Sequence, residues 1–176
     1  MPRVHFVKAA RTDNAVVKAG ESYYWWKFRR GGKRLSKTRP KRSQLTQSEF
    51  YSRMYDIEDD VIGAAVADDS LPGVIADVVS QLEELRDEQE EKRQNMPDAL
   101  QDSDSGNMLQ ERYDGLDSAI SEFEQIDTDD APTEVADLDE DDREEDETDE
   151  DFLARKAEEY WQEKLEEFQN VTIDYP

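Results

Sequence analysis

The chain offers little for acid–base or nucleophilic chemistry: its 176 residues include one histidine, His5, and no cysteine. Such catalysis draws on a group whose pKa can be brought near neutrality, most often an imidazole or a thiol. His5 lies in an alternating stretch, Arg3-Val4-His5-Phe6, that reads as an edge strand. A histidine there, with no nucleophile or carboxylate set beside it, is a surface or half-buried strand residue. Carboxylates are abundant, yet no apolar pocket is foreseeable around any pair of them to raise a pKa. Asp137-Leu-Asp139-Glu-Asp141 and Asp102-Ser-Asp104-Ser-Gly106 open like calcium-binding loops, but the sixth position must be glycine, and Asp142 and Asn107 stand there. Gly31-Gly32-Lys33 lacks the frame of a phosphate loop. The expectation is a protein that is not an enzyme and takes no metal or cofactor.

Binding chemistry is far more legible. Residues 1–48 hold 13 Lys/Arg against Asp13 and Glu21, a balance of +11, while residues 49–176 hold 9 against 44 Asp/Glu, a balance of −35. Lys and Arg neutralise phosphates with release of counterions, and aromatic rings stack on exposed bases. In the basic part Tyr23, Trp25, Lys27, Arg29 and Arg34 combine both chemistries, and Lys33, Lys37, Arg39, Lys41 and Arg42 extend them. These residues form the expected nucleic-acid surface, for DNA or RNA. The competing reading has the rings building a small core and the cations pairing with the acidic body.

The elements that must position these residues follow from period and punctuation. Residues 21–38 are rich in strand formers and broken by Gly31-Gly32, which accept the positive φ angles of a two-residue hairpin turn. With that turn, position i pairs with position 63 − i, so Phe28 faces Leu35 and Arg29 faces Arg34. One face then carries Tyr24, Trp26, Phe28 and Leu35, and the other Tyr23, Trp25, Lys27, Arg29 and Arg34. An isolated hairpin is marginal in water, so its apolar face needs a cover. A helix starting near Gln47, capped by Thr46 or Ser48, supplies it with Phe50, Met54, Ile57 and Val61 on one stripe. Val4 to Lys8 is expected to add a third strand.

Farther on, Ser70-Leu71-Pro72 marks a helix entry followed by Ile75, Val78, Leu82 and Leu85. A loop at 102–107 separates it from a second stripe, Leu109, Tyr113, Leu116, Ile120 and Phe123. The two fit either an antiparallel hairpin or a homo-oligomeric bundle. The expectation is an α+β protein: a basic aromatic head over 1–67, a helical hairpin over 70–126, an acidic disordered linker over 127–150, and an amphipathic helix and tail over 151–176. The last segment reads as a tethered docking element for a protein partner.

The run from Tyr23 through Thr38, followed by a helix, resembles the arm-type DNA-binding domain of phage tyrosine recombinases, a small three-stranded sheet with one helix. Their catalytic domain has no counterpart here, so the resemblance implies a binding role alone. Residues 3–50 are also similar to small bacteriophage proteins, which implies a phage origin and a host cytoplasmic setting. No stretch approaches the ~18 consecutive apolar residues of a membrane span, and no membrane partner is expected. The function expected first is a noncatalytic nucleic-acid-binding accessory protein whose acidic body modulates affinity or recruits a partner. Two others compete with it: a protein-interaction factor, including a DNA mimic or an inhibitor of a host nucleic-acid enzyme, and an oligomeric virion or assembly scaffold.

Overall fold

Strand formers at both ends of the basic segment pair into an antiparallel sheet in the order β1 (His5–Val7), β2 (Tyr23–Lys27), β3 (Lys33–Ser36). The computed structural model describes residues 1–144 and 147–176. It divides into two units, Met1–Glu58 and Asp59–Pro176, so the basic head ends nine residues before the expected boundary at 67.

The hairpin register differs from the expected one. Lys27 pairs with Lys33, Trp26 with Arg34, Trp25 with Leu35 and Tyr24 with Ser36. The connection therefore runs over residues 28–32 rather than two glycines. Of the two glycines only Gly31 takes a positive φ, +147°, whereas a type I′ two-residue turn needs positive φ at both central residues. Phe28 leaves the ladder and is buried, and Gln47 Nε2 donates to the Arg30 carbonyl at 2.9 Å, tying down the wider loop. Because the offset is odd, every β3 side chain changes face relative to β2. Leu35 joins Trp25, not Trp26, and Arg34 leaves the Trp25 face for that of Tyr24 and Trp26.

Helix α1 (Glu49–Asp56) begins at Ser48, whose hydroxyl accepts from the Tyr51 N–H. This satisfies one of the backbone donors left open at a helix start. Its stripe is buried as expected at Phe50, Met54 and Ile57, which join Trp26, Phe28, Val17 and Ala10 as the apolar interior of the unit, whereas Val61, the fourth expected member, is half-buried beyond the helix and belongs to the second unit. The chain then passes through a π-helical turn, Ile57–Val61, and a 3-10 turn, Ile62–Ala64.

The second unit is built on α2 (Leu71–Gln94) and α4 (Asp104–Glu124), joined through the one-turn α3 (Asp98–Gln101). Proline at the second position of α2 opens that helix without losing a hydrogen bond. Arg86 reaches Asp117 at 3.1 Å and the Tyr113 ring, while Glu90 and Arg93 border the same cleft as Leu109 and Gln110. The helices are thus antiparallel neighbours within one chain. Leu71, Ile75, Val78, Leu82 and Leu85 are buried against Leu116, Ala119, Ile120 and Phe123. Leu109 and Tyr113 are half-buried.

Helix α5 (Asp149–Asn170) does not stand off as a tethered segment. Phe152 and Phe168 on it are fully buried, and the Phe168 ring lies 5.3 Å from that of Phe123. The Phe168 ring finds a mate on α4 and the helix also lies against α2, and that burial outweighs the freedom of a loose end. The acidic segment before it contains two 3-10 turns, Val135–Asp137 and Glu140–Asp142. Of the expected linker, Glu145 and Asp146 lie outside the described residues. Arg155 on α5 holds the segment by donating to both carboxylate oxygens of Glu147 and to the Asp142 carbonyl, each at 2.9 Å. Beyond α5 the tail 171–176 is extended and passes directly over Gly115.

Candidate nucleic-acid interface

Alternation along the three strands sorts the side chains of the sheet into two faces. His5, Val7, Tyr23, Trp25, Lys27, Lys33 and Leu35 point one way; Phe6, Tyr24, Trp26, Arg34 and Ser36 point the other. The register joins Tyr23, Trp25 and Lys27, as the sequence led one to expect, but adds His5 and Lys33 and removes Arg34.

On the first face the rings are already engaged. The His5 imidazole stacks on the Trp25 indole at 4.1 Å with planes 9° apart, and the Lys33 ammonium lies 4.4 Å from the same ring. The two arrive from strands on opposite sides of β2. A cation held over an indole is attracted by the ring's negative face, so Trp25 positions Lys33 at the hairpin end. Lys33 stands directly opposite Lys27. Like charges placed opposite each other across a ladder destabilise it.

The two carboxylates of the basic segment do not relieve this repulsion, because both are committed to the loop joining β1 and β2. Asp13 accepts from the Ala19 N–H at 2.7 Å and Glu21 from the Lys18 N–H at 2.9 Å. Asn14 caps the Val16 and Val17 amides of the same loop. Glu21 also reaches Lys37, at 3.7 Å and exposed on both sides, a pair worth little in water. Among the described residues, Lys27, Arg29, Arg30 and Arg39 are exposed and make no ion pair.

The remaining expected residues lie toward α1. The Arg34 guanidinium sits 5.1 Å from the Phe28 ring and borders an open groove of about 570 Å³ between β3 and the start of α1. Lys41, Arg53 and the hydroxyl-bearing Ser43, Thr46, Ser48 and Ser52 line the same groove, along with Glu49 and Asp56. Arg42 is bound inside the unit by Glu58 at 2.8 Å and by the Tyr55 ring at 4.7 Å. It supports α1 more than it faces a ligand.

The expected residues therefore do not share one flat face: Tyr23, Trp25 and Lys27 lie on one side of the sheet, Arg34 on the other, and Lys41 and Arg42 beside α1. His5 and Lys33 are the residues that strand alternation alone did not bring to the Trp25 face, Lys33 being expected only as an extension of the surface. They enter it through the β1–β2 and β2–β3 registers, which no local pattern sets. Among the described residues, no three carboxylate or imidazole groups converge as a metal site, and no helix is long and apolar enough to cross a membrane. No family profile, curated protein or solved structure matches this chain.

Proposed function

We propose that the N-terminal unit is a noncatalytic nucleic-acid-binding module and that the acidic unit modulates its affinity. The observation that carries this reading is the Lys27–Lys33 pair, opposite each other in the ladder and surrounded by exposed Arg29 and Arg30. A fold that keeps this repulsion, while its nearby carboxylates serve the backbone of a loop, is suited to a polyanion that supplies the missing negative charge. The resemblance of residues 3–50 to small bacteriophage proteins suggests a phage origin and defines no activity.

The strongly negative second unit competes electrostatically with any nucleic acid approaching the first, and the competition weakens as salt screens it. The test is fluorescence anisotropy of the full chain against labelled single-stranded and duplex oligonucleotides across a salt series. Binding should fall linearly in log–log form with salt. Replacing Lys27 and Lys33 together with alanine should reduce the slope by about two, about one for each phosphate no longer neutralised. Absence of binding to any oligonucleotide at the lowest salt would refute the proposal.

A further inference from the structure

Phe6 is the outlier of the sheet. It sits at the centre of β1, yet 54% of its surface is exposed, against 3% for Trp26 on the same face. An isolated exposed aromatic forgoes the stabilisation that burial would give it. Tyr24, its partner in the ladder, is half-buried, and the two rings lie 4.9 Å apart with planes tilted by 43°. Together they make an open aromatic step on the face opposite Trp25.

The surroundings select the occupant. Two residues along β2, about 7 Å away by strand geometry, the Trp26–Arg34 pair presents the exposed Arg34 guanidinium on the same face. Arg29 and Arg30 in the adjoining loop are exposed and unpaired among the described residues. An apolar partner surface would have to desolvate these cations without compensation, whereas a chain of phosphates carrying bases matches both the rings and the charges. A duplex turns only base edges outward and has no free base face for Phe6. Trp25, the ring that composition favours, is occupied by His5 and Lys33, but Phe6 can receive a base with nothing displaced.

We infer that the Phe6–Tyr24 step is a base-stacking subsite for single-stranded nucleic acid, with Arg34 and the hairpin loop receiving the adjoining phosphates. The inference rests on the nucleic-acid reading of this unit and assigns it a strandedness and a contact residue.

The experiment measures binding of the full chain to labelled oligothymidylate, oligouridylate and a duplex of equal length at low salt. Phe6→Ala should weaken single-strand binding about 5- to 150-fold, the range for removing one base–aromatic stack. Its salt slope should be unchanged, because no ionic contact is removed. Phe6→Leu, which keeps apolar bulk, should lose nearly as much, and Phe6→Tyr should keep wild-type affinity. Retention of the near-ultraviolet tryptophan signal certifies the fold of each variant. Equal single-strand affinity of wild type and Phe6→Ala overturns the subsite alone, as does an equal loss on duplex. A wild-type chain that binds none of the three probes overturns the nucleic-acid reading with it.

Discussion

Gly115 in α4 and Asp174 in the C-terminal tail meet backbone to backbone: a Cβ placed on Gly115 would run into the Asp174 carbonyl. Glycine inside a helix is ordinarily a cost of about 0.5–1 kcal/mol relative to alanine. Here it is the residue that lets residues 171–176 lie on α4. Gly115→Ala should stabilise a chain ending at residue 170 by that amount and give no gain in the full chain, where the tail is displaced. Paired denaturant titrations would show it, with amide exchange at 171–176 faster in the full-length variant. An equal gain in both chains would mean that the tail does not hold this position.

The Lys27–Lys33 pair predicts opposite effects on stability and binding. Lys33→Gln removes one of two like charges in direct register, so the free protein should gain a few tenths of a kcal/mol, within the range of cross-strand pairs. The loss of the ammonium held over Trp25 sets a limit to that gain. Nucleic-acid affinity should fall and its salt slope should drop by about one. Thermal unfolding and anisotropy on the same sample test both signs.

Phe168 decides whether α5 belongs to the second unit. Its ring is fully buried beside Phe123, so Phe168→Ala should cost about 3–5 kcal/mol, the usual penalty for emptying an aromatic core site. The transition of α2 and α4 should move with that of α5 in denaturant. An α5 that only docks on an outside partner would leave the stability unchanged.

The Glu147–Arg155 pair sets the acid response of the acidic segment. Two hydrogen bonds from Arg155 hold the Glu147 carboxyl down at about 2, against an ordinary 4.5. A carboxyl lowered in the folded state stabilises it fully above the ordinary value and loses that contribution as the pH falls toward the lowered one. Contacts between residues 147 and 155 should therefore persist through mild acid and fail between about pH 4.5 and 2. Carbon-detected NMR of the Glu147 carboxyl should give the low midpoint, and Arg155→Ala should return it toward 4.5.

Helical elements of this protein were well marked in its sequence. The stripe Phe50, Met54, Ile57, Val61 and the stripe Ile75, Val78, Leu82, Leu85 are local patterns with a period of about 3.6, and all the residues they name but Val61 are buried. Ser48 and Pro72 mark helix starts for equally local reasons. The hairpin was harder to read. Gly31-Gly32 advertise a tight turn, but Phe28 gains more from burial than from staying in the ladder, and the loop widens to include it. One odd step in register moved Arg34 away from Trp25 and brought Lys33 to it.

Taken alone, the order of residues determined the division into a basic and an acidic part, the α+β class, and the positions of the main helices, because charge and periodicity are written locally along the chain. The fold alone decided which cations share a face, that Trp25 is covered while Phe6 is open, and that Phe168 of α5 and the tail after it meet α4. Those outcomes depend on strand register and on contacts between residues far apart in the chain. Both are settled by competition for burial across a whole unit, which no short stretch of sequence contains.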